Sequence, residues 1–260
     1  MIKFFRHIRK SLIQENKMGK YFKYAIGEIL LVVIGILIAL QINNWNEYRK
    51  DRIAEQIYLK RLLKEFQSDS RGLNSIITIS ETSTENAKTN LEHLSTQEII
   101  DTALFVKNAF MIGTKLIRRS YIPTYDELIS SGKFSILQND TLKGKLRSYM
   151  GIFEWWENAG DYAEIQSLFK DYNDHMHQYF SPLIINEFGK NKMMFSDEVI
   201  PIEKLKSIGM DWNGYLSDQR SIYHLRKGTF MHEQLNILYK NNYEKKLLPL
   251  IELIQSEISE

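Results

Sequence analysis

The feature that most constrains this chain is an apolar run near its start: Ile29 to Leu40 holds twelve consecutive residues without a polar side chain. With its flanks the run extends over residues 24–42, and as a helix it would be about 28 Å long, close to the hydrocarbon thickness of a bilayer. The alternatives are a buried core helix and a cleaved signal peptide. A soluble helix keeps a polar face, and no small-x-small cleavage site follows this run. We therefore predict a transmembrane helix over residues 24–42.

The basic residues that flank the run predict its orientation. Residues 1–23 carry seven Lys or Arg and a net charge of +6, whereas residues 43–260 sum to −3. The positive-inside rule then predicts that residues 1–23 are cytoplasmic and that residues 43–260 form an exported domain. The mildly acidic body disfavours nucleic acid as a partner.

The first residues form a basic amphipathic pattern, since Ile2, Phe5, Ile8 and Leu12 recur at helical spacing between cationic side chains. Such a helix is suited to lying on an anionic inner leaflet, which makes the lipid bilayer the first expected partner. The residues predicted to contact the lipid surface are Lys3, Arg6, Arg9 and Lys10.

Small residues and one acid within the span suggest self-association. Gly35-x-x-x-Ala39 is a small-x-x-x-small pattern, with Gly27 on a similar face two turns earlier, and such residues let helix backbones approach closely. Glu28 has two interpretations. It is either an acid near the membrane–water interface, where it can pair with a lysine or with a neighbouring subunit, or a proton or ion relay. We predict that Gly27, Glu28, Gly35 and Ala39 mediate transmembrane association in a homo-oligomer or with another membrane protein.

Beyond the membrane the chain is predicted to be all-α. Asn43 to Leu94 lacks proline and carries an apolar stripe, Leu59, Leu62, Phe66, Leu73 and Ile76, which Asp69 interrupts. We expect one long helix here, with a break near Gly72 or in the Ser/Thr-rich residues 80–90.

Local signals divide the rest of the body. Ser95-x-x-Glu98 and Thr124-x-x-Glu127 resemble capping boxes that start two helices, with stops at Gly113 and Gly132. A further helix capped at Asn139 or Asp140 should run toward Phe180, residues 182–214 should be loops or short strands, and Tyr215 to Ile258 should again be helical, with Pro249 as a kink. The long helices at the two ends of the domain are expected to pair antiparallel in a helical bundle.

Several segments together resemble a family of uncharacterised single-span membrane proteins common in Bacteroidota. The stretch YAIGEILLVVIGILIALQINNWNE is similar to the signature of that family, and FFRHIRKSLIQENK, TYDELISSGKFSILQNDTLKGKLRSYM and LNILYKNNYEKKLLPLIELIQSEI resemble three further segments. The resemblance implies membrane location and a helical body. It implies no activity, substrate or catalytic residue. In a bacterium, the orientation predicted above places the chain in the inner membrane, with residues 1–23 in the cytoplasm and residues 43–260 in the periplasm.

No motif in the sequence indicates catalysis. Cysteine is absent, which excludes disulfides, thiolate chemistry and cysteine-based zinc sites. His175-x-His177 places its imidazoles on different helix faces, and His232 lacks a second histidine at i+4, so we expect solvated helix histidines. We predict no enzyme, no cofactor and no metal.

The sequence favours a membrane-anchored, non-enzymatic scaffold or interaction protein that self-associates. Two alternatives stay open. One is a periplasmic ligand-sensing module that acts through a partner, because about 23 cytoplasmic residues are too few for a signalling domain. The other is a hydrolase, for which no motif exists, or a subunit of a proton-coupled channel that uses Glu28.

Overall fold

The computed structural model describes residues 18–96, 101–114, 118–158, 161–190, 196 and 198–258, with the side chains of 153–162 left aside. Within these ranges it is all-helical, without a β-strand, apart from one isolated antiparallel bridge between Phe180 and Met210. The chain divides into two compact units, Met1–Ile57 and Tyr58–Glu260. The α-helices are α1 Met18–Thr96, α2 Thr102–Ile112, α3 Pro123–Ser130, α4 Asp140–Asn158, α5 Asp161–Met176, α6 Leu183–Lys190, α7 Ile202–Ser207, α8 Trp212–Ser217, α9 Gln219–Asn242 and α10 Leu248–Glu257.

Helix α1 is unbroken over 79 residues, so the expected break at Gly72 is wrong. One glycine costs a helix about 1 kcal/mol relative to alanine. Phe66 and Leu73, on either side of it, are fully or almost fully buried, and burying a side chain of that size stabilises by roughly 1.5–3 kcal/mol. The free energy gained by burying Phe66 and Leu73 therefore outweighs the cost of the glycine between them.

The Ser/Thr-rich residues 80–90 are also helical, contrary to expectation. Their hydroxyl groups donate to carbonyl groups one turn earlier, as Thr82 does to Thr78 (3.0 Å) and Thr84 to Ser80 (2.8 Å). Ser80 instead donates to the carbonyl of His232 in α9 (3.3 Å). Because these three hydroxyls bond within the helix or to a packed neighbour, they do not compete with its backbone, whereas the Ser83 hydroxyl is buried without a partner among the described residues.

The predicted N-caps at Ser95 and Thr124 are both wrong, and Glu98 lies outside the described residues. Ser95 lies inside the last turn of α1, and α2 is capped by Asp101, whose carboxylate accepts from the amide of Leu104 (3.0 Å). At α3, Thr124 donates its amide (3.0 Å) and its hydroxyl (2.6 Å) to Glu65 of α1. A carboxylate from another helix thus satisfies the N-terminus of α3, where the helix dipole favours a negative charge.

Other predicted boundaries agree with the structure. Gly113 caps the end of α2, and Gly132, with φ 70°, adopts the left-handed conformation one residue past the C-cap of α3. Asn139 accepts from the amide of Leu142 (3.0 Å) at the start of α4. The single helix expected from there to Phe180 is instead two helices, α4 and α5. The irregular region expected at 182–214 contains the short helices α6, α7 and α8.

Near the C-terminus the helix continues through Pro249, because a π-helical segment, Tyr243–Leu247, joins α9 to α10. Proline has no amide hydrogen to donate, and the wider π-helical turn accommodates this missing backbone hydrogen bond. Contacts between Ser70 and Tyr243 (3.5 Å) and between Lys88 and Glu233 (3.1 Å) show that α9 runs antiparallel to the part of α1 that lies in unit 2.

The second unit contains two apolar clusters. The first joins the α1 stripe to α3, α4, the end of α9 and α10. The second joins α2 to α5 through α8 and the start of α9. Helix α9 contributes to both clusters, and polar side chains within or beside each cluster form the candidate sites described next.

Candidate functional site

The residues predicted to mediate transmembrane association lie on the apolar part of α1 in unit 1. Its large side chains are exposed on all sides, with values from 45% at Val33 to 63% at Ile29. A side chain at Gly27 or Gly35 would meet nothing within 4 Å. This surface therefore has no covering partner among the described residues of the chain itself.

Helical geometry refines which of these residues share a face. At about 100° per residue, Glu28, Gly35 and Ala39 lie within about 20° of one line along the helix, whereas Gly27 is about 80° away from Gly35. Glu28, rather than Gly27, therefore lies on the same helix face as Gly35 and Ala39. Lys3, Arg6, Arg9 and Lys10 lie outside the described residues.

By length and composition, α1 from Ala25 onward is apolar enough to cross a membrane. The same properties fit a signal sequence, since the apolar part lies near the N-terminus. None of its most apolar window is buried within the chain, which distinguishes it from the core helix of a soluble protein.

In unit 2, Asp69 is the centre of a buried polar network. It occupies the predicted apolar stripe of α1 and is 3% exposed. Its carboxylate accepts from the hydroxyls of Ser120 and Tyr149 (2.6 Å each) and from the Arg118 guanidinium (2.8 Å). Burial, and then the Asp69 charge, raise the pKa of Tyr149 far above its ordinary value, so the phenol stays a donor.

Gly72 makes room for the arginine of this network. A Cβ at this position would lie 1.7 Å from Nη1 of Arg118. Gly72 was expected to break the helix, but the helix is intact there. The missing side chain leaves a notch in the helix surface, through which the Arg118 guanidinium reaches Asp69, one turn earlier on α1. The network stabilises the packing of α1 against α4 and against the segment that precedes α3.

A second polar cluster joins α5, α8 and the start of α9. The rings of His175 and His224 stack with centroids 4.4 Å apart and an interplanar angle of 16°. His175 Nε2 lies 3.0 Å from the hydroxyl of Ser221, which donates to the carbonyl of Tyr215 (2.7 Å). Since that hydroxyl has one proton, it accepts from Nε2–H, and His175 therefore carries its proton on Nε2.

Three polar atoms of this histidine cluster are buried without a hydrogen-bond partner in the described part of the chain: His175 Nδ1, His224 Nδ1 and the Tyr215 hydroxyl. Burial, and then repulsion from His224, lower the pKa of His175 to about 4. Burial likewise lowers the pKa of His224. Both imidazoles are therefore neutral at pH 7.

An ion-paired rim borders the cluster. Asp218 accepts from Tyr179 (2.6 Å) and from Arg220 (2.6 Å), and its pKa is strongly lowered, first by Arg220 and then by Tyr179. Beside it lies a cavity of about 360 Å³. Its lining residues are Leu94, Leu216, Ser217, Asp218, Gln219, Ser221 and Ile222. Ser221 links the cavity wall to His175.

The expectation of solvated histidines is wrong for two of the three positions considered. His175 is 2% exposed, and His232 is fully buried, with its Nε2 2.8 Å from the carbonyl of Ile112. Only His177 is exposed. Tyr172 and Met176 in α5 are buried, and the stripe that they define passes through His175, so helical periodicity could have predicted its burial.

Among the residues described, no group of three or more His, Asp or Glu side chains is placed to hold a metal ion. The stacked imidazoles have hydroxyl and aromatic neighbours, which suit neutral hydrogen bonding rather than metal coordination. The histidine cluster therefore has the chemistry of a small polar binding or pH-responsive site.

Comparison with known proteins gives one family match. No curated protein and no solved structure matches the chain. Residues 28–155, just under half of the chain, match the model of a family described as a family of unknown function, DUF6090. That segment contains most of the apolar run and all of the Asp69 network, whereas the histidine cluster lies beyond it. Over these residues, the chain is similar to an uncharacterised family.

Proposed function

We propose that the chain is a membrane-anchored, non-enzymatic scaffold or interaction protein of the bacterial inner membrane. Its N-terminus would be cytoplasmic and its helical bundle, residues 43–260, periplasmic. One observation carries the proposal: the apolar part of α1 exposes large side chains around its whole circumference and has no partner within the described chain. Such a surface requires lipid or another apolar helix.

Self-association through the span is the second part of the proposal. Glu28, Gly35 and Ala39 form a line along which the backbones of two helices can approach closely. A channel that depends on proton uptake by Glu28 is the alternative for this line. A Glu28→Gln variant that keeps full function in its host contradicts the channel and leaves the scaffold intact.

The anchor is tested on the full chain in its host. We expect the protein to stay in membranes after an alkaline carbonate wash, to keep residues 1–42 by intact mass, and to show periplasmic activity of a reporter fused after Glu260. Loss of residues 1–42 would identify a cleaved signal sequence. A reporter active only in the cytosol would reverse the proposed orientation.

Association is tested by crosslinking in mild detergent. Gly35→Leu should reduce the crosslinked dimer, because a large side chain on the packing line separates the backbones. Val33→Leu is the matched control, since Val33 lies about 160° around the helix from Gly35. Equal effects of the two substitutions, or a strict monomer in the unmodified chain, would contradict association through this line.

A ligand-sensing module is the second candidate, and the histidine cluster favours it. A cavity of about 360 Å³ is lined in part by Ser221, which lies within hydrogen-bond distance of His175, and such a volume suits a small molecule. A thermal-shift screen of the detergent-solubilised chain should yield a stabilising ligand whose effect His175→Phe removes. Silence across amino acids, sugars and organic acids would count against sensing.

A further inference from the structure

The histidine cluster is the contact of α5 with α8 and with the start of α9. The rings of His175 in α5 and His224 in α9 stack with centroids 4.4 Å apart. A chain of hydrogen bonds also runs from His175 through the hydroxyl of Ser221 in α9 to the carbonyl of Tyr215 in α8. The His175 ring therefore holds three helices together, and it does so as a neutral imidazole.

A proton added to His175 would have no acceptor in this arrangement. Its Nε2 already donates to Ser221, so a second proton must bind Nδ1, which is buried without a hydrogen-bond partner among the described residues. The Nδ1 of His224 is buried in the same way. Because a charged donor that is buried and unpaired is costly, protonation of either Nδ1 conflicts with the closed contact.

The charged groups that surround the two rings do not relieve this conflict. Arg220 repels a proton on either ring, and Lys227 repels a proton on His224. The two nearby carboxylates are already ion-paired, Asp218 with Arg220 (2.6 Å) and Asp171 with Lys227 (3.9 Å). The other titratable neighbours are phenols, which are uncharged at acidic pH: Tyr179, Tyr215 and Tyr223.

Helix α8 and the start of α9 are the part of the cluster with the least packing to lose. The buried residues of α8 and of the first seven positions of α9 are Tyr215, Ser221 and Leu225. His224 is partly exposed and the Arg220 side chain is 63% exposed, so the histidine pair borders solvent on this side. Segments with few buried contacts open at a lower free energy than the rest of a domain.

We propose that acidification opens the histidine cluster, so that α8 and the start of α9 separate from α5 while the rest of unit 2 stays folded. In the open state both imidazoles reach water and take up protons. Opening is therefore favoured as pH falls below the ordinary pKa of histidine, about 6.5. This inference rests on the sensing function proposed above and deepens it, because it names the proton as the signal.

Hydrogen exchange of the full chain in detergent, followed by mass spectrometry at pH 7.5 and pH 5, tests the opening. Each measured rate is divided by the intrinsic rate at that pH to give a protection factor. Protection of peptides from residues 212–225 should fall by roughly tenfold or more at pH 5, because opening takes up at least one proton. It should also be at least about tenfold lower at pH 5 than protection in α10, which packs in the other apolar cluster.

Two results of this measurement overturn the proposal. One is protection of residues 212–225 that does not change between the two pH values. The other is equal protection of residues 212–225 and α10 at pH 5, which would show that only global unfolding exposes the histidines.

A double variant tests whether the two imidazoles are the groups that respond. His175→Gln keeps a donor toward Ser221, and His224→Phe keeps a ring in the stack, but neither replacement titrates. Protection of residues 212–225 in the double variant should agree at the two pH values within about twofold. His177→Gln, at an exposed position of the turn that follows α5, is the matched control and should keep the full fall. A double variant that keeps the full fall contradicts the proposal.

Arg220→Gln provides an independent test if the double variant does not fold. It leaves both histidines in place and removes a cation that repels a proton on either ring. The closed cluster then tolerates protons better, so the fall in protection should be smaller than in the unmodified chain. An equal or larger fall contradicts the proposal.

Failure of this inference differs from failure of ligand sensing. A stabilising small molecule together with pH-independent exchange would support a ligand site and overturn the response to protons. Silence in the ligand screen together with acid-induced exchange at residues 212–225 would support the proton as the signal.

Discussion

At the scale of the residue, Asp69 shows how one polar side chain can be accommodated in an apolar stripe. Its carboxylate would be costly to bury alone, but it accepts three hydrogen bonds, one of them from a guanidinium. Those partners are 49, 51 and 80 residues away in sequence. The sequence located the interruption in the stripe, and only the fold supplied the groups that make it tolerable.

Gly72→Ala should destabilise the protein by roughly 0.5–2 kcal/mol. Alanine improves the helix by about 1 kcal/mol, but its Cβ displaces the Arg118 side chain, whose charged hydrogen bond to Asp69 is worth about 1.5–3 kcal/mol. The measurement is chemical unfolding of the full chain in detergent, followed by circular dichroism.

Gly144→Ala is the matched control for this prediction. Gly144 lies in α4, and a Cβ there meets nothing within 4 Å, so alanine should stabilise by up to about 1 kcal/mol. If both substitutions stabilise equally, Gly72 is not a notch for Arg118.

At the scale of the element, the junction of α5 with α9 depends on histidines that are buried while neutral. The pKa values of His175, His224 and His232 lie below the ordinary value of about 6.5, with burial as the first cause in each case. Asp218 and Asp171 oppose this shift, whereas Arg220 and Lys227 reinforce it. The folded state therefore binds fewer protons than the unfolded state as pH falls below 6.5.

Stability should consequently be full above pH 7 and fall as pH decreases toward 5. His224→Phe keeps a ring against His175 without a titratable group, so it should reduce the loss. We expect the melting temperature of the unmodified chain to drop by roughly 2–6 °C over this range, with a smaller drop in the variant. His177→Phe, at an exposed position, should leave the pH dependence unchanged. A wild-type melting temperature that is constant from pH 7.5 to 5 would contradict the prediction.

Elements also differed in how well their boundaries could be predicted. Gly132 and Asn139 act within one turn of their own position, and both were predicted correctly. The start of α3 was not, because Thr124 bonds Glu65 of another helix instead of Glu127. The same holds for the unbroken α1, whose continuity through Gly72 depends on the burial of Phe66 and Leu73 against other helices.

At the scale of the whole molecule, the two units have different relations to solvent. Unit 1 exposes the apolar side chains of α1 on every side, whereas unit 2 encloses two apolar clusters. The proposed membrane anchor would account for this contrast with a single segment.

Replacing Ile34 and Leu37 with arginine should release the chain from membranes. Each arginine near the centre of a membrane helix costs about 2.5–3.5 kcal/mol, so two of them offset much of the gain from the apolar run. The measurement is the fraction of protein that survives a carbonate wash. Ile53→Arg, at an exposed position of the same helix outside the run, should leave that fraction unchanged. Full retention of the double variant would show that attachment depends on something other than this helix.

The sequence by itself determined the apolar segment, the all-helical body, the stripe of α1 and the helix ends set by Gly113, Gly132 and Asn139. Hydropathy, periodicity and helix caps depend on residues that are close together in the sequence, so the local sequence is enough to predict them. The tertiary structure alone decided that Asp69 binds Arg118 through the notch at Gly72 and that His175 stacks on His224. Each of these depends on which distant segments pack together, and packing is a property of the folded chain.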